Sequence, residues 1–312
     1  MSMRFEKLDL NLLVALDALI EDRNVSAASK RLHLSQPALS GALNRLRDFF
    51  GDELLAQNGR TMVLTPKAEE LRGPVREALM FIRARITTPA AFEPATAERK
   101  FRIHVSDYAY DVLIADVTRK AMTLAPGVSF ELFTPDRRMM ERLERGEVDM
   151  IMTIDSYLPD THPKQALYTD EHSVISWSEG RYAHALSAEE YLAAGHVIAA
   201  FGPDRLPAFT EAHLDHQGIS RRVDISVQSF TSIPRSIVGT DRLATMYRRH
   251  AEYFAQFMPI TIQRPPLSFP DIVESAQWHT SRAGDGAIRW LLDLCLEAER
   301  EMHGGQGERK CL

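Results

Sequence analysis

Gln36, Ser40, Asn44 and Arg47 recur in steps of three and four, so a helix would gather them on one side. Their types match major-groove chemistry. Arginine forks onto guanine, glutamine and asparagine pair with adenine, and serine reaches base or phosphate. Any surface helix has a polar face, so neighbouring elements must decide between recognition and simple solvation. Catalytic chemistry finds no comparable support: Gly-x-x-x-x-Gly-Lys-Ser/Thr, Gly-x-Gly-x-x-Gly, His-Glu-x-x-His and Gly-x-Ser-x-Gly are all missing. His213 and His216 share a helical face but lack a third ligand, and the two cysteines, Cys295 and Cys311, cannot build a disulfide framework or a Cys-rich zinc site. No enzyme activity, metal or cofactor is expected.

The elements around the four polar residues favour recognition. Leu10, Leu13, Leu16 and Leu19 predict a first helix, capped by Asp9 and interrupted at Arg23-Asn24. Ser26 is placed to cap a short second helix to Leu32, and Ser35 a third, with Pro37 tolerated in its first turn. On that third helix Leu39, Leu43, Leu46 and Phe50 form an apolar stripe set off from the polar four. Two helices this close suggest a helix-turn-helix. Asn58-Gly59 between short apolar runs predicts a hairpin, or wing, whose tip presents Arg60 to a phosphate or a narrow minor groove. Ser26, Ser35, Gln36, Pro37, Ser40, Asn44, Arg47 and Arg60 are therefore the expected DNA-contacting set.

Thr65-Pro66 then opens a long helix whose stripe includes Leu71, Val75, Ala78 and Ile82. Having no obvious partner within so small a module, the stripe is expected to pair with the same helix of a second chain; packing on the protein's own body is the alternative. Gly73-Pro74 should kink the helix.

Charge divides the chain. Residues 1–85 carry 13 Lys+Arg against 11 Asp+Glu and the remainder 24 against 32, so the overall charge of -6 over 312 residues conceals a slightly basic amino-terminal part. The length predicts two or three domains. The Leu10–Ile20 stretch is too short to span a bilayer, and cysteine use fits a reducing compartment, so a cytoplasmic protein is expected.

From Phe101 onward strands and helices alternate, which predicts α/β lobes with mostly parallel sheets. Ligands of such sheets bind beyond the carboxyl ends of strands, where helix N-termini point into a crevice. This rule nominates Ser106-Asp107-Tyr108, Ala200-Phe201-Gly202 and Phe230-Thr231-Ser232, with Trp278 a weaker candidate. Tyr108, Phe201 and Phe230 would stack on a flat ring, while Ser106 and Thr231 would meet its oxygens. Core packing is the competing account for these aromatics. Asp107 either caps the helix after it or, facing the crevice, would repel an anionic ligand.

The segments Leu8-Asp-Leu-Asn-Leu-Leu, Val25-Ser-Ala-Ala-Ser-Lys-Arg-Leu-His-Leu-Ser-Gln-Pro-Ala-Leu-Ser, Leu43-Asn-Arg-Leu-Arg, Asp52-Glu-Leu-Leu and Leu64-Thr-Pro resemble the winged helix-turn-helix of LysR-type transcriptional regulators. Phe5 through Leu19 and Phe101-Arg-Ile-His-Val-Ser-Asp-Tyr resemble the NodD and NahR branch, which responds to flavonoid or aromatic effectors. The resemblance covers nearly the whole chain and weakens between Tyr168 and Gly195. It implies a multidomain chain: a mostly α winged helix-turn-helix (1–65), a linker helix for dimerisation (66–86), a hinge (87–98) and a two-lobed α/β effector domain like a periplasmic binding protein (99–302). Lobe I would comprise about 99–168 and 270–302 and lobe II about 169–269, before a disordered tail (303–312). It further implies promoter DNA, a small aromatic or flavonoid-like effector, a homodimer or homotetramer, contact with RNA polymerase, the behaviour of an activator and no membrane. The alternative is a stand-alone solute-binding protein without DNA function.

Overall fold

The computed structural model describes residues 8–58, 61–82, 92–202 and 204–308. The chain forms two compact units that divide between Pro89 and Ala90. Among the described residues no helix is long and apolar enough to cross a membrane.

The first unit is built from α1 (Asn11–Asp22), α2 (Val25–Arg31), α3 (Gln36–Phe50), a hairpin of β1 (Leu55–Asn58) and β2 (Thr61–Leu64), and α4 (Pro66–Ile82). Arg23 takes a left-handed conformation that ends α1, and Asn24 then caps α2 by accepting from the Ala27 N–H at 3.0 Å. This corrects the expected cap: Ser26 lies inside α2, exposed, one residue past its start. Ser35 does cap α3, accepting from the Ala38 N–H. The core joins Leu12, Leu13, Leu16, Leu19 and Ile20 of α1 to Leu39, Leu43 and Leu46 of α3 and to Leu54 and Leu55. Burying each such side chain contributes about 1.5–3 kcal/mol before entropy is counted.

One departure from expectation occurs here. Ala68, Val75 and Leu79 of α4 belong to this same core, with Leu71 packed at its edge, and α4 lies against α1. Leu71 and Val75 of the stripe expected to wait for a second chain thus have an intramolecular partner, reinforced by Arg76, which pairs with Asp17 at 3.3 Å and Glu21 at 3.0 Å. Pro74, the expected kink position, lies inside α4.

The second unit contains two sheets. One has the order β4-β3-β5-β13-β6, from β3 (Arg99–His104), β4 (Val128–Phe133), β5 (Met150–Ile154), β6 (Lys164–Asp170) and β13 (Ile272–Gln277). Strands β3, β4 and β5 run parallel, whereas β13 is antiparallel to both β5 and β6. Helices α5 (Asp107–Ala109), α6 (Ala115–Leu124) and α7 (Met139–Glu144) complete this lobe with α12 (Gly286–Glu308). The last helix runs through Glu308, so residues 303–308 are helical rather than part of an unstructured tail.

The other sheet has the order β10-β8-β11-β7-β12, from β7 (His172–Trp177), β8 (Gly195–Phe201), β10 (Arg222–Val227), β11 (Arg242–Tyr247) and β12 (Ile260–Gln263), with the short β9 (Leu206–Pro207) beside β8. Its helices are α8 (Ala188–Ala193), α9 (Phe209–His216), α10 (Ile233–Ile237) and α11 (Arg248–Ala255). Ser187 and Glu190 form the reciprocal capping box of α8. The chain crosses between lobes at Glu171 and again in the segment linking β12 to β13, so both lobes meet at the ends of β6, β11 and β13.

Candidate nucleic-acid interface and interlobe site

At 100° per residue the buried side chains of α3, Leu39, Ala42, Leu43 and Leu46, define one pole, and the opposite pole is occupied by Pro37, Gly41, Asn44 and Asp48. Gln36, Asn44 and Pro37 are exposed, as expected, and Ser40 is half-buried. Sequence reasoning overlooked Gly41, whose missing Cβ leaves nothing within 4 Å, and the exposed Arg45. A bare position at the centre of the outward face permits close approach of another backbone or base edge.

Arg47 is the main correction on this helix. Its Nε–H donates to the Glu53 carbonyl at 2.9 Å and its Nη2–H to the Leu55 carbonyl at 3.0 Å, with Glu53 also paired through its carboxylate at 3.0 Å. It lies between the buried pole and the outward one, and its guanidinium braces α3 against β1 instead of standing ready for a base. Asp52 adds a second brace. It accepts from the Leu54 N–H at 2.7 Å and from the Thr65 hydroxyl at 2.6 Å, bonds that hold its carboxyl below the usual range. Leu54 is held at φ 58° with its side chain buried, a conformation unfavourable for a bulky residue that these bonds sustain. Arg60, the wing-tip candidate, lies outside the described residues.

In the second unit, the structure brings six of the nominated residues together between the lobes. Ser106 caps α5 by accepting from the Ala109 N–H at 3.1 Å, and Asp107 reaches across to accept from the Thr231 N–H at 2.8 Å. Phe201 stacks near Phe230 with centroids 5.0 Å apart, and Phe230 in turn approaches Tyr108 at 6.2 Å. Gly202 lies open beside them at φ 67°, Ala200 is buried, and the exposed Ser232 bonds to Ser229 at 2.7 Å.

Tyr108 and Phe230 are core residues, 1% and 8% exposed, so neither offers a free ring face; Phe201, half-buried, is the better stacking surface. Trp278 is displaced from this group. Because β13 runs antiparallel, with Gln277 opposite Ile151 and so level with His104, Trp278 continues away from the end of β3 that leads to Ser106. There it lines a separate cavity of about 320 Å³ with Gln165, Ile288 and Leu292.

Beneath the interlobe residues is a polar cluster that the sequence reading missed. Tyr108 donates to Asp170 at 2.8 Å, and the Arg249 N–H at the start of α11 lies 3.3 Å from the same carboxylate. Burial nevertheless raises Asp170 to about 6. Glu274, opposite Tyr168 in the β13–β6 register, is pushed up to about 8 by burial and by the nearby Asp170. Its Oε1 and the Tyr247 hydroxyl have no hydrogen-bond partner among the described residues, and the Tyr168 hydroxyl interacts with Tyr108. His172, driven down to about 4 by burial, stacks on Phe269 at 4.9 Å.

Comparison with known proteins follows this division. Residues 10–69 match the bacterial regulatory helix-turn-helix proteins of the lysR family, and residues 95–300 match the LysR substrate binding domain. The chain is 40% identical, over 96% of its length and 89% of the relative's, to Nodulation protein D of Bradyrhizobium sp. (strain ANU 289). It is 40% identical to Nodulation protein D 1 of Rhizobium tropici, over 95% of this chain and 96% of that one. A solved probable transcriptional regulator from Pseudomonas aeruginosa is 28% identical with a TM-score of 0.62, the match covering 93% of this chain and 97% of that one. Full-length OxyR from the same organism shares the fold at a TM-score of 0.70 and 16% identity, over 92% and 94% of the two chains. A solute binder without DNA function would not carry the first of these domains. With a lysR helix-turn-helix in its first unit and an effector-binding domain of LysR type in its second, the chain belongs to the LysR family of DNA-binding transcriptional regulators and is not an enzyme.

Proposed function

We propose that the protein is a cytoplasmic activator that reads a two-half-site promoter as a homodimer or homotetramer, engages RNA polymerase there, and is switched by an aromatic or flavonoid-like effector held between its lobes. The observation carrying this reading is the likeness to Nodulation protein D along nearly the whole chain, effector domain included. The half-buried Phe201 beside the open Gly202 supports an aromatic ligand. In this reading Gln36, Ser40 and Asn44 meet base edges, Ser26, Ser35 and Pro37 approach the backbone, Arg60 holds phosphate or minor groove, and Arg47 maintains the wing. Of the expected dimerisation residues, Leu71 and Val75 face α1, which leaves the partly buried Ala78 and Ile82 and the 53% exposed Phe81 for a second chain.

The test is a ligand screen of the full chain by thermal shift, using phenols, aromatic acids, flavonoids, sugars and amino acids. Aromatic compounds should stabilise the protein, and Phe201→Ala should weaken the response while leaving operator affinity intact. Stabilisation confined to sugars or amino acids would refute the effector class.

A further inference from the structure

The cavity beside Trp278 lies within lobe I, in the groove between α12 and the edge strand β6. Lobe II adjoins the other end of these strands, where Asp170 pairs with Ile272; Gln165 and Trp278 stand five or six strand positions away, roughly 15–20 Å. The groove is therefore separate from the space between the lobes. Its volume of about 320 Å³ is at the small end of ligand pockets.

The lining is apolar on one side and charged on the other. The half-buried Trp278 ring joins Ile288 and Leu292, one turn apart on α12 and 2% and 8% exposed. Arg289 and Asp293 follow these two by one residue each, line the same cavity and are exposed. Neither side chain has an ion pair or hydrogen bond among the described residues. The charges around them are committed. Both oxygens of Asp285 are held by Arg99, at 3.1 and 2.9 Å, Lys164 is paired with Asp155 at 3.0 Å and Asp160 at 3.1 Å, and Arg282 is paired with Asp149. Arginine four residues before an acid is also the weaker order for a helical pair, so Arg289 and Asp293 have little reason to close on each other.

One uncommitted cation and one uncommitted anion beside an indole face select among small molecules. A simple carboxylate drawn to Arg289 meets Asp293 one turn away, and a simple amine drawn to Asp293 meets Arg289. An uncharged ring leaves both charges unused. The Cβ atoms of the pair are about 5–6 Å apart, a span that the carboxylate and ammonium of one α-amino acid can bridge. We propose that this groove is a second ligand site and that it takes a free aromatic amino acid, with the ring against Trp278, the carboxylate on Arg289 and the ammonium on Asp293.

Calorimetric titration of the full chain at pH 6.5 with L-tryptophan, N-acetyl-L-tryptophan, L-tryptophanamide and indole tests it. Wild type should bind tryptophan about tenfold more tightly than each of the other three. Arg289→Gln should abolish the advantage over the amide, which lacks the carboxylate, and keep the advantage over the N-acetyl compound, which lacks the ammonium. Asp293→Asn should do the reverse. Both positions are exposed, so both variants should melt with wild type, and Phe201→Ala, between the lobes, should leave tryptophan binding unchanged. Tryptophan binding lost in Phe201→Ala but kept in Arg289→Gln and Asp293→Asn would move the amino acid to the space between the lobes and overturn the proposal. Failure of wild type to bind tryptophan, or equal affinity for all four compounds, would overturn it as well.

Discussion

On α3 the side chains of Gln36 and Asn44 stand in water, whereas at the lobe junction Glu274, Tyr168 and Tyr247 are enclosed by protein. The first set is hydrated before DNA arrives, so replacing a member costs the folded protein little and is felt only on binding. The second set has already lost its water, and each atom without a partner is a standing penalty of about 1–3 kcal/mol. Similar polar side chains are therefore separated by environment: one surface stores its interactions for a partner outside, the other is closed off inside the fold.

The same contrast between committed and uncommitted positions gives the largest expected effect on α4. Val75 is 5% exposed in the core shared with α1, and Val75→Lys should destabilise the first unit by about 3–5 kcal/mol, enough to abolish operator binding through unfolding. Phe81→Lys, at a 53% exposed site, should stay within about 0.5 kcal/mol in urea unfolding yet shift sedimentation toward monomer. If both variants fold normally and only Val75→Lys dissociates the oligomer, the assignment of Val75 to the intramolecular core is wrong.

Two tyrosines in the buried cluster sharpen the comparison at the next level. Tyr108 donates to Asp170 at 2.8 Å, whereas the Tyr247 hydroxyl has no partner among the described residues. Tyr108→Phe should cost about 1.5–3 kcal/mol because it strips a bond from a buried carboxylate, while Tyr247→Phe should be neutral or slightly stabilising. Equal losses in chemical denaturation would mean that both hydroxyls are satisfied.

A third pair divides holding from reading on α3. Arg47→Ala removes two bonds to the wing's carbonyls and should lower stability by about 1–3 kcal/mol, weakening specific and random DNA alike. Asn44→Ala should leave the melting temperature unchanged and cost about 1–3 kcal/mol on the specific site alone. A selective loss of specificity in Arg47→Ala would return that residue to the reading set.

How far the sequence reveals each region follows from the same physics. The helix-turn-helix is local: its leucine stripe, the Ser35 cap and Pro37 lie within one short segment, so period and capping rules locate the helices and their exposed face. Arg47 escaped because helical spacing places it among the polar residues, and only the wing folding back shows where its donors go. The seam on α4 escaped because an apolar stripe does not say which surface covers it. In the second unit the alternation of strands and helices was legible, but β6 was not. Its sequence Lys164-Gln-Ala-Leu-Tyr-Thr-Asp mixes exposed and buried positions at a sheet edge, and it supplies Tyr168 and Asp170 to the cluster. Tyr108, Asp170, Tyr247 and Glu274 are far apart in the chain, and no local period unites them.

The smallest expected effect is a slope. Glu274 faces Tyr168 across the strand pair and lies within reach of Tyr108, Tyr247 and Asp170, with Arg249 stacked on Tyr168 beyond. Its carboxyl is raised from 4.5 to about 8, so the folded protein holds a proton that the unfolded chain releases. That contribution to stability is full below about pH 4.5 and is lost as pH rises through the folded value. Asp170, raised to about 6, acts in the same direction over a lower window, and His172, lowered to about 4, acts oppositely, weakening the fold as pH falls from its ordinary value of 6.5. Between pH 6.5 and 8.5 the titration of Glu274 therefore dominates these three. Melting temperatures over that interval should fall in wild type and fall less in Glu274→Gln, whose amide cannot ionise, so that the two curves diverge toward alkaline pH. Parallel curves would mean that Glu274 ionises normally inside the fold.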